Sequence, residues 1–446
     1  MEFITDYRTE RYILQTKWED LPEEAQTHVL MSAADLMGAL ILGSYGRQFA
    51  AGEKLAKMLG FSGEIPVIGS EARYSLPGAA IAMGHASNSF DIDDGYREIR
   101  GHPGTSFVAG TLAAALQQDV SWKEYLTALA ACYETTIRWA LAMQDYYGFP
   151  HSTGAYGAFG TAAGIGRLLG LDEKTLNTAL SIADYHAPMT PSMHAVEYPS
   201  MNKDGVPFGA LVGTMAVMEA LSGSTGRTHF LELKQYRALT ESLGKRFYVT
   251  DLYYKPYTCC RWTHQPIRAC LDLMKEHSFS AQDVEHVTVH TFTPAALLSK
   301  IVPHETDEAQ YNIAYPVACA LVHGEVGFLQ VREEALDDPA VLDMMTRLKF
   351  AVDPELDSLF PGKRLARVEI RLRDGRVLLS GAYEAAGEPD DPELGPDWIA
   401  RKFRRITAPM LEPEAQEELL ELMGRASDIP VRTVVEKINS TLKRGI

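Results

Sequence analysis

The chain has 446 residues, of which 46% are hydrophobic and 23% are charged. These values exclude a mini-protein, a collagen, a coiled coil and a disordered chain, and at roughly 100 to 200 residues per domain they favour two domains. The 59 acidic residues outnumber the 42 basic ones and give a formal charge of −17. Because this surplus repels phosphate groups, we expect neither nucleic acid nor a membrane as a partner, and an anionic substrate would need a local cluster of cations.

Residues from about 20 to 245 have the pattern of α-helices and are rich in Ala, Gly and Leu. Ser121 and Glu124 have the spacing of a capping box, and apolar residues follow at steps of three and four. The segments 174–183 and 209–221 repeat this pattern with many small residues, which allow helices to approach each other closely. We therefore predict a compact helical domain.

The periodicity of the sequence changes to two after about residue 280. Alternating valines over 284–289 indicate a strand, and the alternation on both sides of Asp374-Gly375 indicates a β-hairpin. Because a helical pattern over 335–348 separates them, we predict a small α+β domain with an antiparallel sheet. The acidic, proline-rich segment 388–396 is interpreted as a connection, and 413–423 as a further helix.

The cysteines and the N-terminus predict a cytoplasmic protein. The five cysteines are odd in number and lack the paired CxxC spacing of zinc sites, so we expect reduced thiols. The N-terminal sequence is charged from Glu2 onward and lacks the basic start and apolar run of a signal peptide.

A short, glycine-broken segment, SFDIDDGYREIRGHPG over residues 89–104, combines carboxylates, arginines and a histidine. Carboxylates such as Asp91 could act as bases or orienting groups, and His102 could transfer protons because imidazole titrates near neutrality. A helix cap followed by solvated charges is the alternative interpretation. An Asp-x-Asp-Asp sequence could also hold a metal or a phosphate, but neither a GxxxxGK[ST] loop nor an HExxH motif accompanies it, so we expect no metal and no organic cofactor.

Further candidate residues lie in three other segments. His151 occupies a turn flanked by Pro and Gly, and Lys203 precedes an apolar helix whose N-terminus favours an anion. The sequence KPYTCCRWTH places Lys255, Arg261 and His264 among aromatic residues, which suggests a partly desolvated anion pocket. A structural histidine, a surface lysine and packing at a domain junction are the respective alternatives.

Tyr315 and the adjacent cysteines are weaker candidates. Tyr315 begins an apolar helix, where a buried hydroxyl needs a partner, and a core tyrosine is the alternative. Cys259 and Cys260 are not accompanied by any sign of a Cys-His-Asn arrangement, so thiol chemistry is not expected.

Taken in order, these segments resemble the MmgE/PrpD family, which includes 2-methylcitrate dehydratase, cis-aconitate decarboxylase and iminodisuccinate epimerase. The similar stretches cover most of residues 20–330 and include GAAIAMGHASNSFDIDDGYREIRGHPGTSF, FPHSTGAYGAFGTAAGIGRLLGL, SMNKDGVPFGALVGTMAVMEALSGSTG, YYKPYTCCRWTHQPIRACLDL and YNIAYPVACALVHGEVG. Their shared order along the chain is the specific part of the resemblance.

The resemblance implies a mostly α fold with a smaller α+β domain. It implies a helical domain over residues 1–268, an inserted α+β lid domain over 269–397 and a return to the helical domain over 398–446. A homodimer and a cofactor-free site between the two domains are implied as well.

The resemblance also implies roles for individual residues. By position in the family motifs, the implied catalytic residues are Asp91, His102, His151 and Tyr315. The substrate-binding candidates are Lys203, Lys255, Cys260, Arg261 and His264.

Two features depart from the family pattern. The loop from Asp91 to His102 is one residue longer, with Arg97 and Arg100 where members often carry His or Pro. Cys260 stands where the decarboxylase-like members place a histidine, which removes a proton donor with the pKa of imidazole, although the nearby His264 could substitute.

These observations predict a cofactor-free enzyme that binds a small di- or tricarboxylate and transfers a proton at a carbon next to a carboxylate. A 2-methylcitrate dehydratase-like lyase is the first expectation. A cis-aconitate decarboxylase-like or iminodisuccinate epimerase-like activity, and a non-catalytic binding protein that keeps the fold, are the alternatives.

Overall fold

The structure is a computed structural model that describes residues 2–443, so Met1 and the last three residues of the predicted segment 398–446 lie outside the described residues. Helices dominate it, which confirms the mostly α class. In chain order the α-helices are α1 (Arg8–Gln15), α2 (Glu23–Gly43), α3 (Arg47–Met58), α4 (Leu76–Ser87), α5 (Pro103–Gln118), α6 (Trp122–Tyr147), α7 (Thr153–Leu168), α8 (Glu173–His186), α9 (Ser192–Glu197), α10 (Val206–Leu221), α11 (Arg237–Glu241), α12 (His264–His277), α13 (Thr293–Ala296), α14 (Thr306–Gln310), α15 (Ala314–His323), α16 (Phe328–Val331), α17 (Pro339–Thr346), α18 (Pro354–Leu359), α19 (Pro396–Thr407), α20 (Pro413–Met423) and α21 (Val431–Thr441).

The helical core is built around α7, which packs between α5, α6 and α10. The predicted start of α6 is confirmed, because the Ser121 hydroxyl accepts a hydrogen bond from the Glu124 N–H at 3.2 Å. The predicted close approach of small-residue helices is found where α7 meets α10. A Cβ atom at Gly209 would lie only 2.8 Å from Cα of Gly154, so the two backbones touch.

Two sheets accompany the helices. The strands are β1 (Ser62–Pro66), β2 (Arg73–Tyr74), β3 (Val284–Thr291), β4 (Leu348–Val352), β5 (Ala366–Leu372) and β6 (Val377–Leu379). The strands β1 and β2 form a short antiparallel pair, and the larger sheet has the order β4-β3-β5-β6. The predicted strand over 284–289 and the predicted hairpin are therefore confirmed as β3, β5 and β6.

The prediction of a purely antiparallel sheet is wrong at one edge. The strand β4 runs parallel to β3, with Val287 opposite Leu348, whereas β5 and β6 are antiparallel. The chain between β3 and β4 passes through α13 to α17, and such a crossover returns it in its original direction. The helix predicted over 335–348 is also shorter, since Pro339 begins α17 and the Asp338 side chain caps it through the Ala340 N–H at 2.8 Å.

The C-terminal helices pack against the N-terminal half of the chain. Helix α19 lies on α2, and α21 contacts α5. Lys402 on α19 is buried, pairs with Asp35 on α2 and donates to the Ile92 carbonyl at 2.6 Å. The predicted connection 388–396 contains no helix or strand up to residue 395, whereas Pro396 already begins α19. Helix α20 spans Pro413–Met423, as predicted.

Two helical stretches of the described chain, Glu23–Gly43 and Lys203–Leu221, have the length and apolar character of a membrane span. Most of each window, 78% and 56% respectively, is buried inside the fold, so they are weak evidence for a membrane.

Candidate active site

A small, partly enclosed cavity brings together residues from distant parts of the chain. Five of the nine residues predicted from the sequence line it, namely Asp91, His102, Lys255, Cys260 and Arg261. They are joined there by residues that were not selected from the sequence, including Arg100, Asp204, Tyr253, Tyr311 and Arg364.

The loop between α4 and α5 is held by its own carboxylates. Asp94 accepts hydrogen bonds from the Gly104 N–H at 3.1 Å and from the Tyr133 hydroxyl at 2.6 Å, so it caps the start of α5. Burial raises the pKa of Asp94 to about 7. The Asn88 amide donates to Asp93 at 3.0 Å. The helix-cap interpretation of this segment is thus correct for Asp94, whereas Asp91 faces the cavity.

His102 stands immediately before α5 and is surrounded by acceptors. Its Nδ1 lies 2.7 Å from the Asp94 carbonyl oxygen and 3.3 Å from Oδ2 of Asp93. Because a carbonyl can only accept, Nδ1 carries a hydrogen. Its Nε2, 3.6 Å from Oδ1 of Asp91, is then the nitrogen that can take up a proton.

Asp91 and Lys255 form a buried ion pair at the base of the cavity. The Lys255 ammonium lies 2.6 Å from Oδ1 of Asp91 and donates to the Asp91 carbonyl oxygen at 2.9 Å. Burial raises the pKa of Asp91, but nearby positive charge, above all that of Lys255, outweighs that effect and lowers it below its usual value. The same pairing raises the pKa of Lys255 despite its burial. Both groups therefore stay ionised at neutral pH.

Two arginines of the cavity form no ion pair within the described residues. Arg100 and Arg364 both line it, and neither has a carboxylate within 4.0 Å among residues 2–443. Partial desolvation and the charge of Arg364 lower the pKa of Arg100, although this residue is exposed. Arg261, in contrast, is paired with Glu388 at 2.9 Å, and its guanidinium lies 4.7 Å from the centre of the Tyr253 ring. A bound anion can thus be neutralised by Arg100 and Arg364.

Tyr311 and Asp204 form a second acid–base pair. The Tyr311 hydroxyl donates to Oδ2 of Asp204 at 2.6 Å. Asp204 has a positive φ of 56° and belongs to the short 3-10 turn Lys203–Gly205 before α10. Tyr311 follows α14, four residues before Tyr315 in the sequence YNIAY, so the predicted motif reaches the cavity through its first tyrosine and not through Tyr315.

Four predicted residues lie outside the cavity lining. Lys203 is buried, donates to the Ser89 carbonyl at 3.2 Å and lies 3.4 Å from Oδ1 of Asp307. It therefore neutralises an acid of the protein and stands 5.7 Å from the ring centre of Tyr311. Tyr315 donates to the carbonyl oxygens of Gln330 at 2.8 Å and Ala335 at 3.1 Å, which is the arrangement of a core tyrosine.

The other two are histidines. His264 is buried, and its Nε2 lies 3.0 Å from the Cys259 carbonyl oxygen. Burial and the charge of Arg261 lower its pKa well below the usual range, so it is neutral and cannot replace an imidazolium in the cavity. His151 stacks on Phe149 with 4.2 Å between ring centres, and neither ring nitrogen has a partner within the described chain.

Cys260 borders the cavity as a neutral thiol. Burial raises its pKa to about 12, and its backbone N–H donates to the Gln310 carbonyl at 2.8 Å. A thiol in this state is a weak hydrogen-bond donor and does not carry the positive charge of an imidazolium.

One set of potential metal ligands lies in the cavity. Asp91, His102 and Asp204 each place a donor atom within 4.8 Å of the others. The Lys255 ammonium, 2.6 Å from Asp91, occupies the position of a counter-cation and would repel a divalent ion.

Comparison with known proteins decides the family. Models of the MmgE/PrpD N-terminal domain and of the MmgE/PrpD C-terminal domain match residues 8–243 and 257–427. The chain belongs to the MmgE/PrpD family.

Several relatives of this chain are named as cis-aconitate decarboxylases or as similar to them. The cis-aconitate decarboxylase-like protein oryM of Aspergillus oryzae is 26% identical over 92% of this chain and 91% of its own length. The cis-aconitate decarboxylase of Aspergillus terreus is 23% identical over 85% of each chain, and that of Homo sapiens is 22% identical over 92% and 88%. Family membership and these relatives support an organic-acid lyase.

Proposed function

We propose that this MmgE/PrpD protein is a cofactor-free lyase that binds a small di- or tricarboxylate in the cavity lined by Asp91 and His102. The observation that carries the proposal is the juxtaposition of two unpaired arginines, Arg100 and Arg364, with proton-transfer groups. Arginine binds carboxylates through two parallel N–H donors, and its charge is not lost at any physiological pH.

The proposed reaction begins with removal of a proton from the carbon next to a bound carboxylate. His102 accepts this proton at Nε2, since Nδ1 is fixed by the Asp94 carbonyl oxygen. The resulting negative charge spreads into the carboxylate, where Arg100, Arg364 and Lys255 stabilise it. Loss of one such preorganised contact typically costs about 3 kcal/mol in the barrier, or roughly a hundredfold in rate.

We propose dehydration of a hydroxy-tricarboxylate, as in 2-methylcitrate dehydratase, as the specific reaction. In the proposed step the Tyr311 hydroxyl, which lies in the same cavity and donates to Asp204 at 2.6 Å, turns to give its proton to the departing hydroxyl group, which leaves as water. Cys260 supports dehydration over decarboxylation, because a neutral thiol with a pKa of about 12 cannot take the part of a charged donor.

Decarboxylation of a cis-aconitate-like acid is the second candidate. It is favoured by the names of the relatives from Aspergillus and Homo sapiens, although their identity to this chain is only 22% to 26%. Epimerisation would use the same groups without loss of water or carbon dioxide.

The test is incubation of the purified protein with citrate, 2-methylcitrate, cis-aconitate and iminodisuccinate in heavy water, followed by NMR. We expect loss of water from 2-methylcitrate and no carbon dioxide from cis-aconitate. Conversion of cis-aconitate to itaconate would replace dehydration by decarboxylation, and a change of configuration alone would indicate an epimerase. Binding without turnover of any of the four acids would contradict the enzymatic proposal.

We further propose that the protein is a cytoplasmic homodimer. All five cysteines are free and buried, in keeping with a reducing compartment. The outward side of α10 exposes Phe208, Met215 and Leu221, which a second copy could cover. Light scattering of the natural protein and of Met215→Glu tests this, with a monomer expected for the variant only.

A further inference from the structure

A second cluster of ionisable groups lies where the N-terminal helix α1 meets the segment that follows α10. Glu10 of α1, His229 and Glu232 are 1%, 1% and 6% exposed, and each places a donor atom within 4.8 Å of the others. None of the three lines the candidate active site. A backbone hydrogen bond connects the two segments, because the Ile4 N–H donates to the Glu232 carbonyl at 2.8 Å.

Most of the side-chain oxygen and nitrogen atoms of this cluster that could bind a metal make no hydrogen bond. Oε1 of Glu10 lies 2.9 Å from Nε2 of His229 and accepts from the Asn177 amide at 2.9 Å. Among the described residues, Oε2 of Glu10, Nδ1 of His229 and both carboxylate oxygens of Glu232 have no hydrogen-bond partner. A buried carboxylate with two unsatisfied oxygens is costly, because water no longer solvates it.

The charge of the cluster is not balanced by the protein. In residues 2–443 no lysine or arginine nitrogen lies within 4.0 Å of the Glu10 or Glu232 carboxylate. Within that range the ionic contact between Glu10 and His229 is the only one that these two carboxylates make. Asp184, nearby, is also buried and uses one oxygen to accept from the Phe230 N–H at 3.0 Å. A protonated His229 supplies one positive charge against two carboxylates, whereas a divalent cation with a neutral imidazole balances both.

We propose that Glu10, His229 and Glu232 bind a divalent transition-metal cation that stabilises the fold. Two carboxylates and one imidazole are ligands suited to Zn²⁺, Mn²⁺ or Co²⁺, and water can complete the coordination. The cation links α1 to the segment 229–232 and has no part in the proposed lyase reaction. The unpaired oxygens of Glu232 are then metal ligands.

The test uses the full-length protein after treatment with a chelator and dialysis. Co²⁺ is titrated while absorption and heat are recorded, and bound Zn²⁺ is counted by elemental analysis. We expect one cation per chain in the natural protein and in His102→Gln, which alters the other potential ligand set, Asp91, His102 and Asp204. Binding should be lost in Glu232→Gln and in His229→Gln. Zn²⁺ should raise the melting temperature of the stripped natural protein but not that of Glu232→Gln.

Two results would overturn the proposal: no binding by the stripped natural protein, or binding that survives in both Glu232→Gln and His229→Gln. If these variants do not fold, histidine-labelled natural and His102→Gln proteins are examined by NMR with Co²⁺. A paramagnetically shifted imidazole signal that persists in His102→Gln supports the site, and its absence refutes it. All of these measurements are independent of catalytic turnover.

Discussion

Replacement of Arg364 by Gln is the most direct test of the proposed carboxylate site. Arg364 is 5% exposed, its Nε has no hydrogen-bond partner in the described chain, and its only hydrogen bond is a 3.2 Å contact to the Arg97 carbonyl. N–H groups of Arg364 are therefore available to a ligand. A hydrogen bond to a charged group contributes about 1.5 to 3 kcal/mol, which corresponds to a loss of about tenfold to a hundredfold in affinity.

The assay is isothermal titration with propane-1,2,3-tricarboxylate, which has the three carboxylates of the proposed substrates and no group that can be eliminated. The matched control is Arg97→Gln, because Arg97 lies 2.7 Å from Glu388 and 4.0 Å from Glu384 and does not line the cavity. Arg364→Lys should recover part of the affinity, since it keeps the charge and loses the planar fork. Equal affinities of Arg364→Gln and Arg97→Gln would refute the assignment of Arg364 to substrate binding.

The remaining predictions concern proton transfer, reaction choice and stability. His102→Gln should lower turnover by roughly a hundredfold with little change in tricarboxylate affinity, as kinetics and titration would show; an unchanged rate would remove it from the mechanism. Cys260→His should gain carbon dioxide release from cis-aconitate, and abundant release by the natural protein would contradict the role given to the thiol. Lys203→Ala should cost about 3 to 5 kcal/mol of unfolding free energy because it leaves the buried Asp307 with the neutral Gln48 amide but without its cationic partner. A double variant with Asp307→Asn should recover stability in calorimetry.

The pH dependence of stability provides another prediction. Burial raises the pKa of Glu388, but the charges of Arg261 and Arg97 outweigh it and bring the value to about 2, against 4.5 when unfolded. Because the folded pKa is the lower one, the stabilisation is complete above pH 4.5 and is lost as the pH falls towards 2. Glu388→Gln should thus be less stable than the natural protein at pH 7, and the difference in melting temperature should shrink at pH 3. A difference that is constant over this range would contradict the assignment.

Local patterns predicted the elements of the fold better than their arrangement. The alternation of β3 and β5 and the Asp374-Gly375 turn are encoded by neighbouring residues, and so is the Ser121 cap of α6. The parallel edge strand β4 is only partly buried along its length, and its direction depends on the helices between β3 and β4. The sequence contains no local signal for that direction, so the antiparallel expectation failed there.

In the candidate site, too, local sequence patterns indicated some residues, whereas the position of others depends on tertiary packing. Asp91 and His102 stand in a dense polar segment and Lys255 in a segment that mixes cations with aromatic residues, so the sequence pointed to all three, and the structure places them together. Tyr311 and Tyr315 lie in one motif, and only the rotation of the chain between α14 and α15 turns one to the cavity and the other to the core. Arg364 lies far along the chain in an ordinary charged segment, so its position in the cavity follows from tertiary packing alone.

The close contact between the backbone of α7 and the start of α10 also fixes the position of a residue in the candidate active site. A side chain at Gly154 would collide with the carbonyl group of Gly205, the residue directly after Asp204. Gly154→Ala therefore has to displace the turn that holds Asp204, and with it the partner of the Tyr311 hydroxyl. A screen of random variants for lost activity should recover glycine changes in α7 alongside those in the cavity, although Gly154 itself does not line the cavity.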